Sequence, residues 1–534
     1  METYIGIDLG TTNTVAAILN ISDKNNINPE IIDIIQFDVD FKGHITDKIL
    51  PSYIYINEFG TKYIGKAAKY MKDKQYDRVI YNSKNYIGDN NYLWKIDDFE
   101  YSPEDIAAML LKEIKKNIEN KIKREVNNAV ITVPASFNHD QITATKKAAI
   151  LAGFKENEIY FISEPTAAIL DFINNEKKLP QKDRTLDFSS CKKVLVFDLG
   201  GGTCDVSILN ILIKDMDFKV EELAISPHTQ LGGINFDLRG VVYLINKFLR
   251  ETGCNIDSIF KNENDKRKIY SIMASEVEKA RIFFMSHKGE NDNVFYSFIV
   301  PDFIDGKSTQ FTLTKVEYIE SIEPLLKSEG NLGYNIIDPI KDTLSKANMT
   351  NKDIDNIFLV GGMTLYKPIY YTLEKYFGKA PITNIDPMFA VARGAAIYDY
   401  YNRGINKNNN KNIKIDPVVA DNIYIDVEND LPFLIVKQGT RAPFEITYNN
   451  VLKVSNATGM KIDIFSGRSI WDPKMKRLKS GQVSFLNLVK PGTPISLNVK
   501  FDKNRILSLS AWIENSEEYK LNVTIGEGED KYEY

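Results

Sequence analysis

Asp198 and Asp205 flank three successive glycines, Gly200, Gly201 and Gly202, and a threonine, Thr203, in the stretch KVLVFDLGGGTCDVSIL from Lys193 to Leu209. Glycines leave the backbone N–H groups bare, which suits an anion. Two carboxylates and a hydroxyl beside them suit a divalent cation. A second copy stands near the N-terminus, with Asp8, Gly10, Thr11, Thr12 and Asn13 in TYIGIDLGTTNTVAAIL, Thr3 to Leu19. One Asp-x-Gly-Thr turn alone reads as an ordinary hairpin tip. Two in matching contexts predict facing tips that grip a polyphosphate from both sides. The motif is not a P-loop, which needs a Gly-Lys-Ser/Thr ending and a following helix.

The elements that must position these residues are legible around them. Val194 to Phe197 is a short apolar run that reads as a buried strand ending at Asp198, and Val206 to Leu209 returns as another. Ile5 and Ile7 lead into Asp8 in the same way, and Val15 to Leu19 returns. An internal repeat at this distance predicts two related lobes, each offering one hairpin. Pro103 to Glu125 has helical periodicity, with Ile106, Met109, Leu110, Ile114 and Ile118 on one face, and Ser271 to Ser286 is also helical. Asn174 to Lys192 reads as a polar surface loop. Asn402 to Lys414 is polar, low in complexity and unable to form a core, so it marks a boundary. Beyond it lies a short apolar box between acids, Asp416 to Asp421. From Asn422 onward the period is two, as in Ile423, Ile425 and Val427, or Ile495, Leu497, Val499 and Phe501. Turn signals separate these runs, which predicts a β-sandwich.

Composition narrows the classes. With 534 residues, the length prior is about three to four compact units. The balance of 43% hydrophobic and 26% charged residues is that of a globular protein. A net charge of −5, with lysine-rich segments matched by nearby acids, argues against a nucleic-acid groove. Three cysteines, Cys191, Cys204 and Cys254, form no disulfide framework and fit a reducing compartment. The four histidines, His44, His139, His228 and His287, show no zinc spacing. The acidic N-terminus does not read as a secretory signal, and no apolar run reaches the ~18 residues of a membrane span. A cytoplasmic monomer without nucleic-acid or membrane partners is expected.

The two hairpins resemble the phosphate motifs of the actin–hexokinase-like ATPases. Further stretches resemble the 70-kDa heat-shock chaperones, the DnaK family: Ala129 to Ala149, FISEPTAAIL from Phe161, LGGINFD from Leu231, IFLVGGMT from Ile357 and AVARGAAI from Ala390. They run in the family's order from Tyr4 to about Tyr401. The resemblance implies a two-lobed, ribonuclease-H-like ATPase domain over residues 1–401, a linker over 402–421, a β-sandwich substrate domain over 422–526 and an acidic tail over 527–534. It implies slow hydrolysis of ATP to ADP and phosphate, with Mg²⁺ and with K⁺ as a further cation. Asp8, Asp198 and Asp205 would surround a hydrated Mg²⁺. Backbone N–H groups of Thr11, Thr12 and Asn13 on one side, and of Gly201, Gly202 and Thr203 on the other, would cradle phosphates together with Gly10, Gly200, Gly232 and Gly233. Lys69 falls where the family positions the attacking water, Glu164 where a carboxylate orders metal-bound water, and Thr203 near the γ-phosphate. Glu278 and Arg281 match ribose-binding positions, and Gly361 and Gly362 allow close approach of adenosine. Leu365 departs from the arginine the family stacks on adenine, so an apolar wall is expected there.

Pro134 matches a switch proline, but Ile142 replaces the arginine eight residues later. With Pro417 in the linker and no helical lid after the β-domain, weakened coupling and fast peptide exchange are expected. Val427, Leu452, Met460 and Ile462 are candidates for an apolar peptide pocket, where an extended chain could add main-chain bonds. The leading expectation is an ATP-dependent chaperone for unfolded polypeptide, active in protein folding and stress response, with J-domain and nucleotide-exchange partners. The alternatives are a nucleotide-gated adaptor for one dedicated partner and a small-molecule kinase on the same fold.

Overall fold

The computed structural model describes residues 2–525 other than 22–26, 187–189, 215–216, 227–228, 287–293, 328–334, 406–412, 420, 427–430, 468, 472–474, 486, 503–505 and 514–515. Thr3–Leu9 pairs antiparallel with Asn13–Asn20, and Lys192–Leu199 with Cys204–Lys214, which sets Asp198 directly opposite Asp205. Each hairpin sits inside a larger sheet. The first sheet runs Ile159–Ser163, Ala129–Val133, Thr3–Leu9, Asn13–Asn20, Glu30–Ile31, with Leu50–Pro51 also on Asn13–Asn20. The second runs Asn356–Val360, Lys192–Leu199, Cys204–Lys214, Asp217–Ile225, Ile413–Asp416. In both, a parallel strand flanks the leading strand of the hairpin, so the repeat in sequence is a repeat in topology.

The strands read as continuous apolar runs because both faces are covered. Leu195 and Phe197 enter a core with Phe236, Leu244 and Val277 of helices Gly233–Thr252 and Glu263–Ser286. Val194 and Val196 face the other way, into a core with Ala167, Ile169 and Ala395 that also takes Val130 and Ile162 of the first sheet. Helices Glu164–Lys178 and Ala390–Asp399 supply that shared core. They approach so closely that a Cβ on Gly394 would overlap the Ala167 carbonyl. Helix Ala390–Asp399 also lies on Thr3–Leu9, where the Ile5 N–H donates to Asp399 Oδ2 at 2.7 Å. Arg393 forks onto buried Asp171 at 2.9 and 2.7 Å and fixes the helix pair.

Helix Pro103–Ile122 starts on a capping box between Ser102 and Asp105 with proline in its first turn. Ile106, Leu110, Ile114 and Ile118 are buried as expected, and Met109 is half-buried. Three expectations need correction. Helix Glu164–Lys178 runs into the stretch read as a loop, because buried Ile173 and Glu176 extend its inner face. Helix Glu263–Ser286 begins earlier than Ser271. Part of the polar stretch after Asn402 is ordered by pairing: Ile413–Asp416 adds a parallel strand to Asp217–Ile225.

From Asn422 the chain forms two four-stranded antiparallel sheets. One runs Phe433–Val436, Asn422–Ile425, Gly459–Gly467, Lys476–Ser484, and the other Phe444–Lys453, Pro494–Phe501, Leu507–Ile513, Ser516–Ile525. Ile423, Ile425, Ile464, Leu497, Val499 and Leu509 meet between them, which is the sandwich the alternation predicts.

Candidate functional site

The two hairpin tips abut. A Cβ on Gly201 would lie inside the Thr12 side chain, so glycine there is what lets the tips come together. The second tip is braced on the start of helix Gly233–Thr252, whose Gly233 and Ile234 N–H groups donate to the carbonyls of Gly200 and Gly201 at 3.1 and 2.9 Å. The positive end of a long helix therefore faces the tip, a setting that favours an anion. A cavity of about 1080 Å³ opens over the tips. Asp8, Gly10, Thr11, Thr12, Asn13, Glu164, Asp198, Gly200, Gly201, Thr203 and Gly233 all line it. Gly202 and Gly232 lie directly behind, one backbone against the other. Thr12 Oγ1, Asn82 Oδ1 and Asn85 Oδ1 are buried there without a hydrogen-bond partner. Each orphaned polar atom costs about 1–3 kcal/mol if left dry, so the site is built for a polar ligand.

Asp8, Glu164 and Asp198 line the cavity, and Asp205 lies beside them, directly opposite Asp198 in the hairpin. Thr132 donates to Asp8 at 3.2 Å, and Ser136 to Asp205. Burial pushes Asp8 up to about 7, helped by the negative charge of Glu164. Burial also raises Asp198 well above the usual carboxylate range, with Glu164, Asp205 and Asp8 adding to it. Asp205 is raised by burial too, against the Ser136 hydrogen bond. Among the described residues no three acids or other donors gather closely enough to ligate a metal directly. The anionic charge of Asp8 and Asp198 on the cavity wall, with Asp205 beside them, suits a cation that keeps its own waters, as Mg²⁺ does.

The cation among them is Lys84, not Lys69. Lys84 Nζ lies 2.5 Å from Glu164 Oε1, and the residue is 8% exposed. Burial works against its charge, but Glu164 and Asp8 outweigh that and raise its pKa. The turn Ser83–Tyr86 carries it, entered through Asn82 at φ 57. Lys69 instead reaches Glu278 at 2.9 Å. It lies on the helix Lys66–Met71. Sequence reasoning missed Lys84 because a lone lysine in a polar turn carries no periodic signal. The one available hint was its setting between asparagines ahead of Tyr86-Ile87-Gly88.

The residues expected around adenosine share the same cavity: Glu278, Arg281, Gly361, Gly362 and Leu365. Burial would raise Glu278, but its pairing with Lys69 holds it below the ordinary range. Arg281 forks onto Asp237 at 2.8 and 3.1 Å, so its guanidinium is already committed. Leu365 and Ile282, each 53% exposed, give the apolar wall expected for this end.

Pro134 and Ile142 lie on the way to the β-sandwich. Pro134 is buried between the strand Ala129–Val133 and Ser136, the residue that donates to Asp205. The neighbouring Ala135 packs with Ile225 and Val418. Ile142, 1% exposed, lines a small cavity of about 40 Å³ with Phe137, Val418, Ile423 and Phe501. An apolar contact with the sandwich stands where a charge was missing. In the peptide-pocket set, Val427 lies outside the described residues. Leu452 is half-buried. Met460 and Ile462, candidates for an apolar peptide pocket, belong to the sandwich core at 7% and 3% exposure. They alternate with Ile464 on the inner face of Gly459–Gly467.

The shift of Asp8 carries a pH prediction. A carboxyl whose folded pKa lies above its unfolded value binds a proton more tightly when folded, so stability falls as pH rises between the two. For the ligand-free protein that window runs from the unfolded value, about 4, up to about 7. The Tm is expected to drop between pH 5 and 7.5, and Asp8→Asn to flatten the slope. A ligand-free Tm that climbs across this range, with the variant unchanged, would contradict the assignment.

The family described as Hsp70 protein matches residues 89–533. A curated relative, the chaperone protein DnaK of Thermosipho melanesiensis, is 32% identical over 466 residues, covering 87% of this chain and 70% of its own. The match includes Glu164, both acids of the second hairpin and the β-sandwich, and the chain belongs to the HSP70 family.

Proposed function

We propose that ATP binds where the two hairpin tips meet, and that its hydrolysis there governs an extended polypeptide held by the β-sandwich. Membership of the family makes the chain an ATP-dependent chaperone and an ATPase. In this reading residues 1–401 are a two-lobed actin-like ATPase domain, 402–421 the linker and 422–526 the substrate domain. The observation that carries it is the group of Lys84 with Glu164, Asp8, Asp198 and Asp205 under one cavity.

Thr11, Thr12, Asn13 and the Gly200–Thr203 turn would position the phosphates, since phosphoryl transfer depends mainly on placement and charge. Asp8, Asp198 and Asp205 would hold Mg²⁺ through its waters, and the ion would neutralise charge on the phosphates. Lys84 would orient the attacking water and Glu164 would accept a hydrogen bond from it. J-domain and exchange-factor partners follow from the family in general. The adaptor and the kinase are not favoured: a complete hairpin pair needs no dedicated partner, and from Asn422 onward the chain is a sandwich rather than a small-molecule site.

The test measures ATP turnover with and without an unfolded peptide, and peptide affinity in MgATP and MgADP. Peptide affinity is expected to differ between nucleotides. Asp205→Asn is expected to lower turnover by about tenfold or more at limiting Mg²⁺, the scale of one lost charge-assisted contact. Turnover indifferent to Asp205 and peptide binding indifferent to nucleotide would sink the reading.

A further inference from the structure

Glu222 is a fully buried acid, 1% exposed, outside the nucleotide cavity. Acids are almost never buried unless paired, and this one has donors on two sides. Its Oε1 accepts from the hydroxyls of Ser163 and Thr166, at 2.6 and 3.1 Å. Those residues bracket Glu164 at the start of helix Glu164–Lys178. Its Oε2 accepts from the backbone N–H of Val418 at 3.2 Å, the second residue after the docked strand Ile413–Asp416. The pairing of Cys204–Lys214 with Asp217–Ile225 skips Leu223, leaving Leu209 opposite Glu222 and Ile208 opposite Ala224. Such a bulge re-aims side chains. The preceding Glu221 holds the sandwich directly, through Arg441 at 3.1 Å.

We propose that Glu222 is the positioning residue that couples the helix start carrying Glu164 to the segment entering the β-sandwich. The inference rests on the ATPase reading above. A ligand that draws on Glu164 shifts the Ser163 and Thr166 hydroxyls, and the same carboxylate carries that shift to Val418. One group with two oxygens serves both sides, so the linker senses the state of the helix start without touching the nucleotide.

The test is limited trypsin digestion of the full chain, timing the cut after Lys414 in MgATP and in MgADP, with ATP affinity measured alongside by calorimetry. In the unaltered protein the cut is expected to be slower in MgATP. Glu222→Gln keeps size but puts an N–H₂ donor against one set of donors. It is expected to speed the cut about tenfold, the scale of one hydrogen bond to a charged group, and to bring the MgATP and MgADP rates together. Val418→Pro removes the same N–H from the linker side, together with the Val418 packing on Ala135 and Ile225, and should do the same if Glu222→Gln does not fold. A variant that binds ATP normally yet keeps the full MgATP-to-MgADP ratio overturns the role of Glu222 alone. Failure of the unaltered protein to bind ATP overturns the ATPase reading itself, and this inference with it.

Discussion

Lys84→Met is expected to lower ATP turnover by about two to three orders of magnitude, the range seen when one positioned proton-handling or charge-stabilising group is removed. The same change at Lys69 should leave turnover within about threefold, because a part-exposed ion pair contributes little. The contrast follows from what each ammonium touches. Lys84 is enclosed by Glu164, Asp8 and Asp205 under the phosphate tips, whereas Lys69 holds Glu278 across the cleft with a third of its side chain in solvent. Methionine keeps the aliphatic volume of lysine, so packing changes little. Without Lys84 the buried acids lose their compensating charge, and Glu164 should take up a proton and stop accepting a hydrogen bond from water. Single-turnover hydrolysis with nucleotide affinity measured separately distinguishes lost chemistry from lost binding. Equal losses at Lys84 and Lys69 would return the catalytic role to a shared electrostatic field.

The second large effect is on stability. Gly394→Ala should improve helix propensity by about 1 kcal/mol, yet the added carbon would overlap the Ala167 carbonyl. A backbone carbonyl inside a helix pair has nowhere to go, since Arg393 and Asp171 pin the same crossing. A net loss of at least about 3 kcal/mol is expected, in line with overpacking against fixed backbone. Gly43→Ala is the control, because its nearest neighbour is 3.8 Å away at the Asp40 carboxylate. That change should move stability by about 0.5 kcal/mol or less. Denaturant unfolding of both variants decides the point. A Gly394→Ala protein as stable as its parent would mean that the two helices can separate freely.

The hairpins were legible because their chemistry is local. Asp198, the glycines and Asp205 are neighbours in sequence, and alternation told the strands apart from the helices. The sandwich was legible for the same reason. Lys84, Thr132, Ser136 and Glu222 were not, because each acquires its partner from a distant element. Periodicity says which face of an element is apolar, but not which polar residue on a turn will meet an acid eighty positions away. Lys69 misled because a helix lysine and a turn lysine look alike until the turn is folded. The docked strand Ile413–Asp416 was hidden by composition, since a parallel edge strand needs backbone pairing more than apolar side chains.

Helix Ala390–Asp399 closes the underside of the first strand, and the Ile5–Asp399 bond spans 394 residues. That distance is also a time. At about 5–20 residues per second, the ribosome takes roughly 20–80 s to deliver the helix after the strand has emerged. Throughout that interval Tyr4, Val15, Ala17 and Leu19 of the first hairpin have no cover on that side. A chaperone therefore begins its own life as an unfinished chain, with its oldest strand waiting longest for shelter.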